Sequence, residues 1–105
     1  MTIEELYDLL SSGFPQLNWQ RREYYRPYVV ADTKSGEYLA SIGQFAESVH
    51  NGCEFISIGY NSNGPEHYGQ TGPYIGWDKA KSVMLEQIKK YDPKLFQEEQ
   101  QLTLF

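Results

Sequence analysis

The sequence predicts an α+β domain in which two helices pack on one face of a three-stranded antiparallel meander, in the order α-β-β-β-α, followed by a C-terminal tail. Three observations favour this fold. Apolar residues recur at helical spacing in two segments of the chain. Between these segments lie three stretches rich in aromatic and β-branched residues, separated by turn sequences. Packing both apolar helix faces on one face of the sheet is the simplest way to bury them.

The first helix begins at a capping box, because Thr2 is followed three residues later by Glu5. Gly13 and Pro15 end the helix, since glycine adopts the left-handed conformation easily and proline cannot continue a helix. The side chains with the spacing of a buried stripe are Ile3, Leu6, Tyr7 and Leu10.

Three strands are predicted, and turn sequences separate them. Residues 33–36 (TKSG) form a plausible hairpin turn, and the Asn-Gly pair at 51–52 marks a second turn. A helical interpretation of residues 38–50 remains open, although Gly43 disfavours it. The predicted strands cover residues 22–32, 37–45 and 53–60.

Residues 61–76 contain four glycines and two prolines, which predicts an irregular loop. Loops of this length in a compact domain are usually functional or mobile. Asp78 caps the second helix, and Lys89 and Lys90 lie favourably at its C-terminal end. Its buried stripe is predicted at Ala80, Val83 or Met84, Ile88 and Tyr91.

Pro93 ends the second helix, so we expect a domain of residues 1–93 and a tail of residues 94–105. The first part of the tail is compatible with one more short helical turn. The chain has nine tyrosines, whose large rings with polar tips suit both a small core and a contact surface.

The chain is acidic, with 9 Lys and Arg, 14 Asp and Glu and a formal net charge of −5. No Lys or Arg occurs between Lys34 and Lys79, so the central region is poorly equipped to neutralise the phosphates of a duplex. The single Cys53 excludes an internal disulfide and suits a reducing compartment. The sequence has no signal-peptide pattern and no run of the ~18 apolar residues that span a bilayer. These features predict a cytoplasmic protein without a membrane partner, and they indicate no oligomeric state.

The candidate residues for a metal or catalytic site are His50, Cys53 and His67, with Glu54 or Glu66 in support. Their spacing matches no established zinc pattern, and a closed structural site needs four ligands. A buried thiol on an apolar strand is more often a small core residue than a nucleophile. We therefore expect no metal, no cofactor and no catalytic residue; a small enzyme or metal protein around Cys53 and His67 is an alternative.

In element order the predicted domain resembles the double-stranded RNA-binding domain, whose second helix opens with lysines that hold phosphates. Lys79 and Lys81 stand at that place here, and the strand tyrosines have the rings needed to stack on exposed bases. The resemblance implies a nucleic-acid-binding module as an alternative function; the other interpretation is two solvated lysines on a helix face. The possible nucleic-acid contacts are Arg21, Arg22, Arg26, Lys79 and Lys81.

The last five residues, QLTLF, resemble the bacterial sliding-clamp-binding motif, whose common form is Gln-Leu-(Ser/Asp)-Leu-Phe. Four of the five positions agree in identity, and Thr103 replaces a similarly small polar residue. The resemblance implies that Leu104 and Phe105 fill a hydrophobic pocket on the clamp and that Leu102 adds a smaller apolar contact. It further implies that the Gln101 amide binds at the pocket rim.

The resemblance implies a non-enzymatic accessory protein, of bacterial or phage origin, that docks on the DNA sliding clamp and modulates replication or repair. The sequence does not separate recruitment of a partner from inhibition of the clamp. The polar residues 97–100 (QEEQ) are interpreted as a spacer. The alternative is a small protein of mobile-element or phage origin whose tail packs on its own core.

Overall fold

A computed structural model describes residues 1–65 and 69–96. The chain is α+β, with one antiparallel sheet of five strands in the order β1-β2-β3-β4-β5. A short 3₁₀ turn at His50–Gly52 precedes β4. The helices are α1 (Ile3–Gly13) and α2 (Trp77–Tyr91), and the strands are β1 (Trp19–Tyr24), β2 (Arg26–Asp32), β3 (Gly36–Gln44), β4 (Glu54–Ser62) and β5 (Gly69–Tyr74).

The prediction of a three-stranded sheet is wrong, first because the predicted strand over 22–32 belongs to two strands. β1 and β2 form a hairpin in which Tyr24 pairs with Arg26 and Tyr25 alone makes the turn. Tyr25 has a φ of 62°, in the left-handed region that reverses the chain. Gly, Asn and Asp favour such a turn, and none of them occurs at residues 24–26. The sequence pattern therefore predicts one continuous strand there.

The second unexpected strand is β5, which lies in the segment predicted as an irregular loop. β5 pairs with β4 at one edge of the sheet, with a register irregularity between Ile56 and Ile58. An edge strand needs hydrogen bonds on one side only, and therefore Pro73 is admissible there. The helical interpretation of 38–50 is also wrong, because residues 36–44 form β3.

Both helices pack on the same face of the sheet. Leu6 and Leu10 of α1 are fully buried, as are Met84 and Ile88 of α2. They belong to one core cluster with alternate residues of the central strands. The core-facing strand residues are Val29, Ala31, Tyr38, Ala40, Ile56, Ile58 and Tyr60.

The opposite face of the central strands is covered by neither helix, and we call it the open face. It consists of the outward side chains of three neighbouring strands. These residues are Arg26, Tyr28, Val30 and Asp32 on β2; Glu37, Leu39, Ser41 and Gly43 on β3; and Phe55, Ser57, Gly59 and Asn61 on β4.

The chain after α2 continues along the core as far as the structure describes it. Residues 94–96 form a helical turn, and Leu95 and Phe96 pack partly against the core. The division of the chain at residue 93 stays a prediction. Neither described helix is both long enough and apolar enough to cross a lipid bilayer.

The predicted turn at 33–36 is present and depends on Gly36. The Thr33 N–H donates to the Gly36 carbonyl at 2.7 Å. Gly36 pairs with Ser62 across β3 and β4. A Cβ at residue 36 would lie 2.1 Å from the Asn61 carbonyl oxygen, closer than atoms can approach. The contact is with backbone, so no side-chain rotation relieves it.

We expect Gly36→Ala to lower the free energy of unfolding by ~2 kcal/mol, because overpacking against backbone forces the strands apart. Urea denaturation followed by circular dichroism measures the loss. Gly64→Ala is the matched control, since a Cβ there meets only the Ser62 hydroxyl at 3.5 Å. Equal stability of the two variants would contradict the close approach at Gly36.

Candidate functional site

A groove of about 450 Å³ crosses the open face at the end nearest the β1–β2 hairpin. Aromatic rings and small side chains line it, and Arg26 is the one charged residue among the described residues of its lining. Aromatic residues and Arg are enriched in the cores of protein interfaces, whereas Lys, Asp and Glu are depleted. The residues that give the groove this character are Tyr24, Tyr25, Arg26, Tyr28, Leu39 and Phe55.

The tip of the β1–β2 hairpin presents two tyrosines at the rim of this groove. The side chains of Tyr24 and Tyr25 are 73% and 91% exposed, and their rings meet edge to face at 4.6 Å. The left-handed backbone of Tyr25 costs roughly 1–2 kcal/mol for a residue with a Cβ. Such strain is often found where a side chain is displayed for binding. The hairpin tip is therefore part of the candidate site.

The floor of the groove contains a glycine covered by an aromatic ring. Gly43 pairs with Phe55, and a Cβ at residue 43 would lie 2.3 Å from the Phe55 Cζ. The Phe55 ring in turn contacts Phe45 at a centroid distance of 4.8 Å, and Phe45 contacts the His50 ring at 4.9 Å. An aromatic ring laid over a strand glycine protects exposed backbone. Gly43 thus allows Phe55 to lie flat in the groove.

The structure separates the basic residues that the sequence analysis proposed as nucleic-acid contacts. Arg22 and Arg26 lie on the side of the open face, and Arg22 is 3.7 Å from Asp32. Arg21 lies on the helix side, where it pairs with Glu4 and covers the Tyr7 ring at 5.1 Å.

Lys79 and Lys81 lie on α2, which packs on the other side of the sheet. The five predicted cations do not meet on one surface. The α-β-β-β-α order that carried the resemblance to the RNA-binding domain is replaced by a five-stranded sheet.

The candidate metal site lies partly outside the described residues, and the residues of the clamp-like motif lie wholly outside them. His67 and Glu66 are not among them, nor are Gln101, Leu102, Leu104 and Phe105. The Cys53 N–H donates to the His50 carbonyl at 3.2 Å. Within residues 1–65 and 69–96, no group of three or more His, Cys, Asp or Glu side chains is placed to hold a metal ion.

A polar cluster that no sequence pattern indicates surrounds Asp92, the residue after α2. The Asp92 Oδ2 accepts hydrogen bonds from the hydroxyls of Thr33 (3.0 Å), Ser35 (2.6 Å) and Tyr38 (2.5 Å). A cavity of about 770 Å³ adjoins the cluster. No spacing in the sequence brings residues 33–38 next to residue 92, so only the fold reveals it.

Burial, followed by the hydrogen bond and charge of Asp92, raises the pKa of the Tyr38 hydroxyl well above its usual range. Tyr38 therefore remains a hydrogen-bond donor to Asp92 at neutral pH. The arrangement holds the end of α2 on the β2–β3 hairpin, which is a structural function.

Tyr38→Phe should weaken the protein by ~1.5–3 kcal/mol near neutral pH, the usual contribution of a hydrogen bond to a charged acceptor. The substitution should also remove the loss of stability that the wild type shows at alkaline pH. The unfolded chain releases the tyrosine proton above about pH 10, whereas the folded protein keeps it, so wild-type stability falls as the pH rises past about 10. Urea midpoints from about pH 8 to about pH 11 measure the effect. Parallel pH curves for the two proteins would disprove it.

Tyr25→Gly should raise the free energy of unfolding by ~1 kcal/mol, because glycine adopts the left-handed conformation without the Cβ penalty. Tyr24→Gly is the matched control, since it removes a neighbouring exposed ring at a strand position and should lower stability. Thermal unfolding of the wild type and the two variants gives the order of their stabilities. A Tyr25→Gly protein less stable than wild type would show that the ring itself stabilises the hairpin.

Comparison of the chain with known proteins gives no relative from which a role can be carried over. No family model matches it, no curated protein is significantly similar to it, and no solved structure matches its fold significantly.

Proposed function

We propose that this chain is a non-enzymatic accessory protein that docks on the bacterial DNA sliding clamp through residues 101–105. The single observation that carries the proposal is the order of residues in QLTLF. An apolar end without that order would fit any hydrophobic surface. The spacing of Gln101 from Leu104 and Phe105 is what the clamp motif requires.

The chemistry of the five residues is consistent with a short peptide in an apolar groove. Leu104 and Phe105 are the anchors, and each contributes ~1.5–3 kcal/mol on burial before the cost of ordering the peptide. Leu102 adds apolar contact, and the Gln101 amide both donates and accepts hydrogen bonds at the rim. A dissociation constant on the order of micromolar follows.

The first residues of the predicted tail pack on the domain, so the proposal concerns the chain beyond Phe96. Within the described residues, one core cluster extends from Leu6 to Ile88, and Leu95 and Phe96 pack against it. Residues 97–100 add two glutamates and two glutamines between Phe96 and the motif. A polar spacer of this kind keeps an apolar hook available to a partner.

In this function the domain and the motif have separate tasks. The motif brings the protein to the clamp, and the open face of the sheet is available for a second contact. A protein that only occupies the clamp groove inhibits other clamp partners, whereas one that also holds a second molecule recruits it. Both outcomes modulate replication or repair.

Deletion of residues 101–105 should abolish capture by an immobilised bacterial sliding clamp. Leu104→Ala combined with Phe105→Ala should weaken binding by about 100-fold or more, because two anchor side chains are lost. Thr103→Ala is the matched control and should bind as wild type does, since Thr103 is not an anchor. Titration calorimetry or surface plasmon resonance gives the dissociation constants.

The same deletion also tests the packing alternative. If residues 101–105 bind a partner and do not pack on the domain, the truncated protein unfolds at the wild-type temperature. A melting temperature lowered by several degrees, together with unchanged clamp binding, would show that the tail packs on its own core and would overturn the proposal.

A further inference from the structure

The outward residues of the three central strands are arranged symmetrically about one row of the sheet. Val29, Ala40 and Ile58 pair across β2, β3 and β4 to form this row, and their side chains face the core. Each strand has two outward residues on either side of the row. On β2, Tyr28 and Arg26 lie on one side, and Val30 and Asp32 lie on the other.

This arrangement has a consequence for two copies of the chain placed face to face. A two-fold axis can lie between the two sheets, directly above the central row and perpendicular to the strands. It places each strand of one copy antiparallel to the same strand of the other copy. Tyr28 then lies over the position of Val30, whose side chain is already buried within its own copy, and Leu39 faces the smaller Ser41. Larger residues meet smaller ones, which is the condition for two sheets to interdigitate at ~10 Å.

The charges at the two ends of the open face favour the same arrangement, whereas Arg22 of the flanking strand β1 lies against Asp32 of its own copy. Arg26 lies at the hairpin end and, among the described residues, has no ion pair. Asp32 and Glu37 are cross-strand neighbours at the other end. The two-fold axis places Arg26 of each copy against Asp32 and Glu37 of the other. An axis along the strands would instead gather both arginines at one end and all four carboxylates at the other.

The carboxylates at the far end retain capacity to bind a guanidinium. Asp32 has a side chain 62% exposed and contacts Arg22 at 3.7 Å. Glu37 accepts one long hydrogen bond from the Asn61 amide, at 3.4 Å. Each carboxylate has a second oxygen available for a charge-assisted bond.

We propose that the open face is the interface of a two-fold symmetric dimer of this chain, in which Arg26 of one copy pairs with Asp32 and Glu37 of the other. The contact is isologous, since the same surface serves both copies. The three strands of the open face, ~4.8 Å apart and about seven residues long, span roughly 330 Å² per copy. The outward sides of the flanking strands β1 and β5 extend this to about 500 Å² per copy, at the low end for a specific interface. The dimer is therefore a reversible one, with dissociation on the order of micromolar concentrations.

A polyanion fits the open face less well than a second copy does. Nucleic-acid binding requires several phosphates to be neutralised by Lys and Arg. The open face has no lysine, its far end carries Asp32 and Glu37, and the chain has a net charge of −5. The same carboxylates that repel phosphates complete the dimer. The inference is independent of the clamp proposal, because it uses none of residues 97–105.

Sedimentation equilibrium of the full-length chain, from about 1 µM to about 300 µM, tests the dimer. The wild type should associate to a dimer. Arg26→Glu should weaken association at least tenfold, and so should Asp32→Lys combined with Glu37→Lys. The triple variant with all three changes should restore dimerisation, because the charges are exchanged between the two ends.

Lys79→Glu is the matched control, since it makes the same change in net charge as Arg26→Glu but lies on α2. It should dimerise as wild type does. Circular dichroism at low concentration confirms that each variant is folded, which separates loss of contact from loss of fold.

Three results would overturn the proposal. The first is a wild type that stays monomeric throughout the concentration range. The second is a dimer whose dissociation constant does not change with Arg26→Glu, or changes equally with Lys79→Glu. The third is a monomer that binds a labelled single-stranded oligonucleotide and loses it with Arg26→Glu, which would assign the open face to nucleic acid.

Discussion

The arrangement of the domain depends on the hydrogen bonds that the Asp92 carboxylate accepts. A single oxygen of Asp92 receives hydroxyl donors from the β2–β3 turn and from Tyr38, and so ties the end of α2 to the hairpin. Tyr38 is fully buried and contacts Tyr60, which stacks on Tyr91 at 4.0 Å. A partly buried carboxylate is stable only when donors replace the water it has lost. The hydroxyls supply those donors, and α2 is thereby held on one face of the sheet.

Both described helices lie on one face, so neither covers the other face, and this division organises the polar surface as well. Arg21 is used on the helix side, against Glu4 and the Tyr7 ring. Its neighbour Arg22 points to the opposite side because successive strand residues alternate. Adjacent arginines in the sequence therefore serve different surfaces. The strained backbone of Tyr25 turns the hairpin tightly enough to place Tyr24 and Arg26 together at the edge of the open face.

The two proposals describe one protein with two separate contact regions. The tail motif would direct the chain to the clamp, and the open face would join two chains. Such a dimer would carry two motifs. If both bind clamps on one surface, the second binding event is intramolecular, so the overall affinity would exceed that of one motif without any new contact. Tyr24 and Tyr25 are exposed, and Arg26 has no ion pair among the described residues. In the proposed dimer, Arg26 would gain a partner in the carboxylates of the other copy.

Local signals in the sequence were sufficient for the elements whose stability is local. The capping box of α1, the turn at 33–36 and the apolar stripe of α2 are each set by neighbouring residues, and the structure has them. The resemblance of QLTLF to the clamp motif is likewise a matter of five consecutive residues, so it can be noticed without a fold. The β1–β2 hairpin and β5 could not be predicted, because Tyr25 is forced into its turn by strand pairing and Pro73 is tolerated only at a sheet edge. The Asp92 cluster and the charge symmetry of the open face join residues far apart in the chain, and only tertiary packing decides which of these meet.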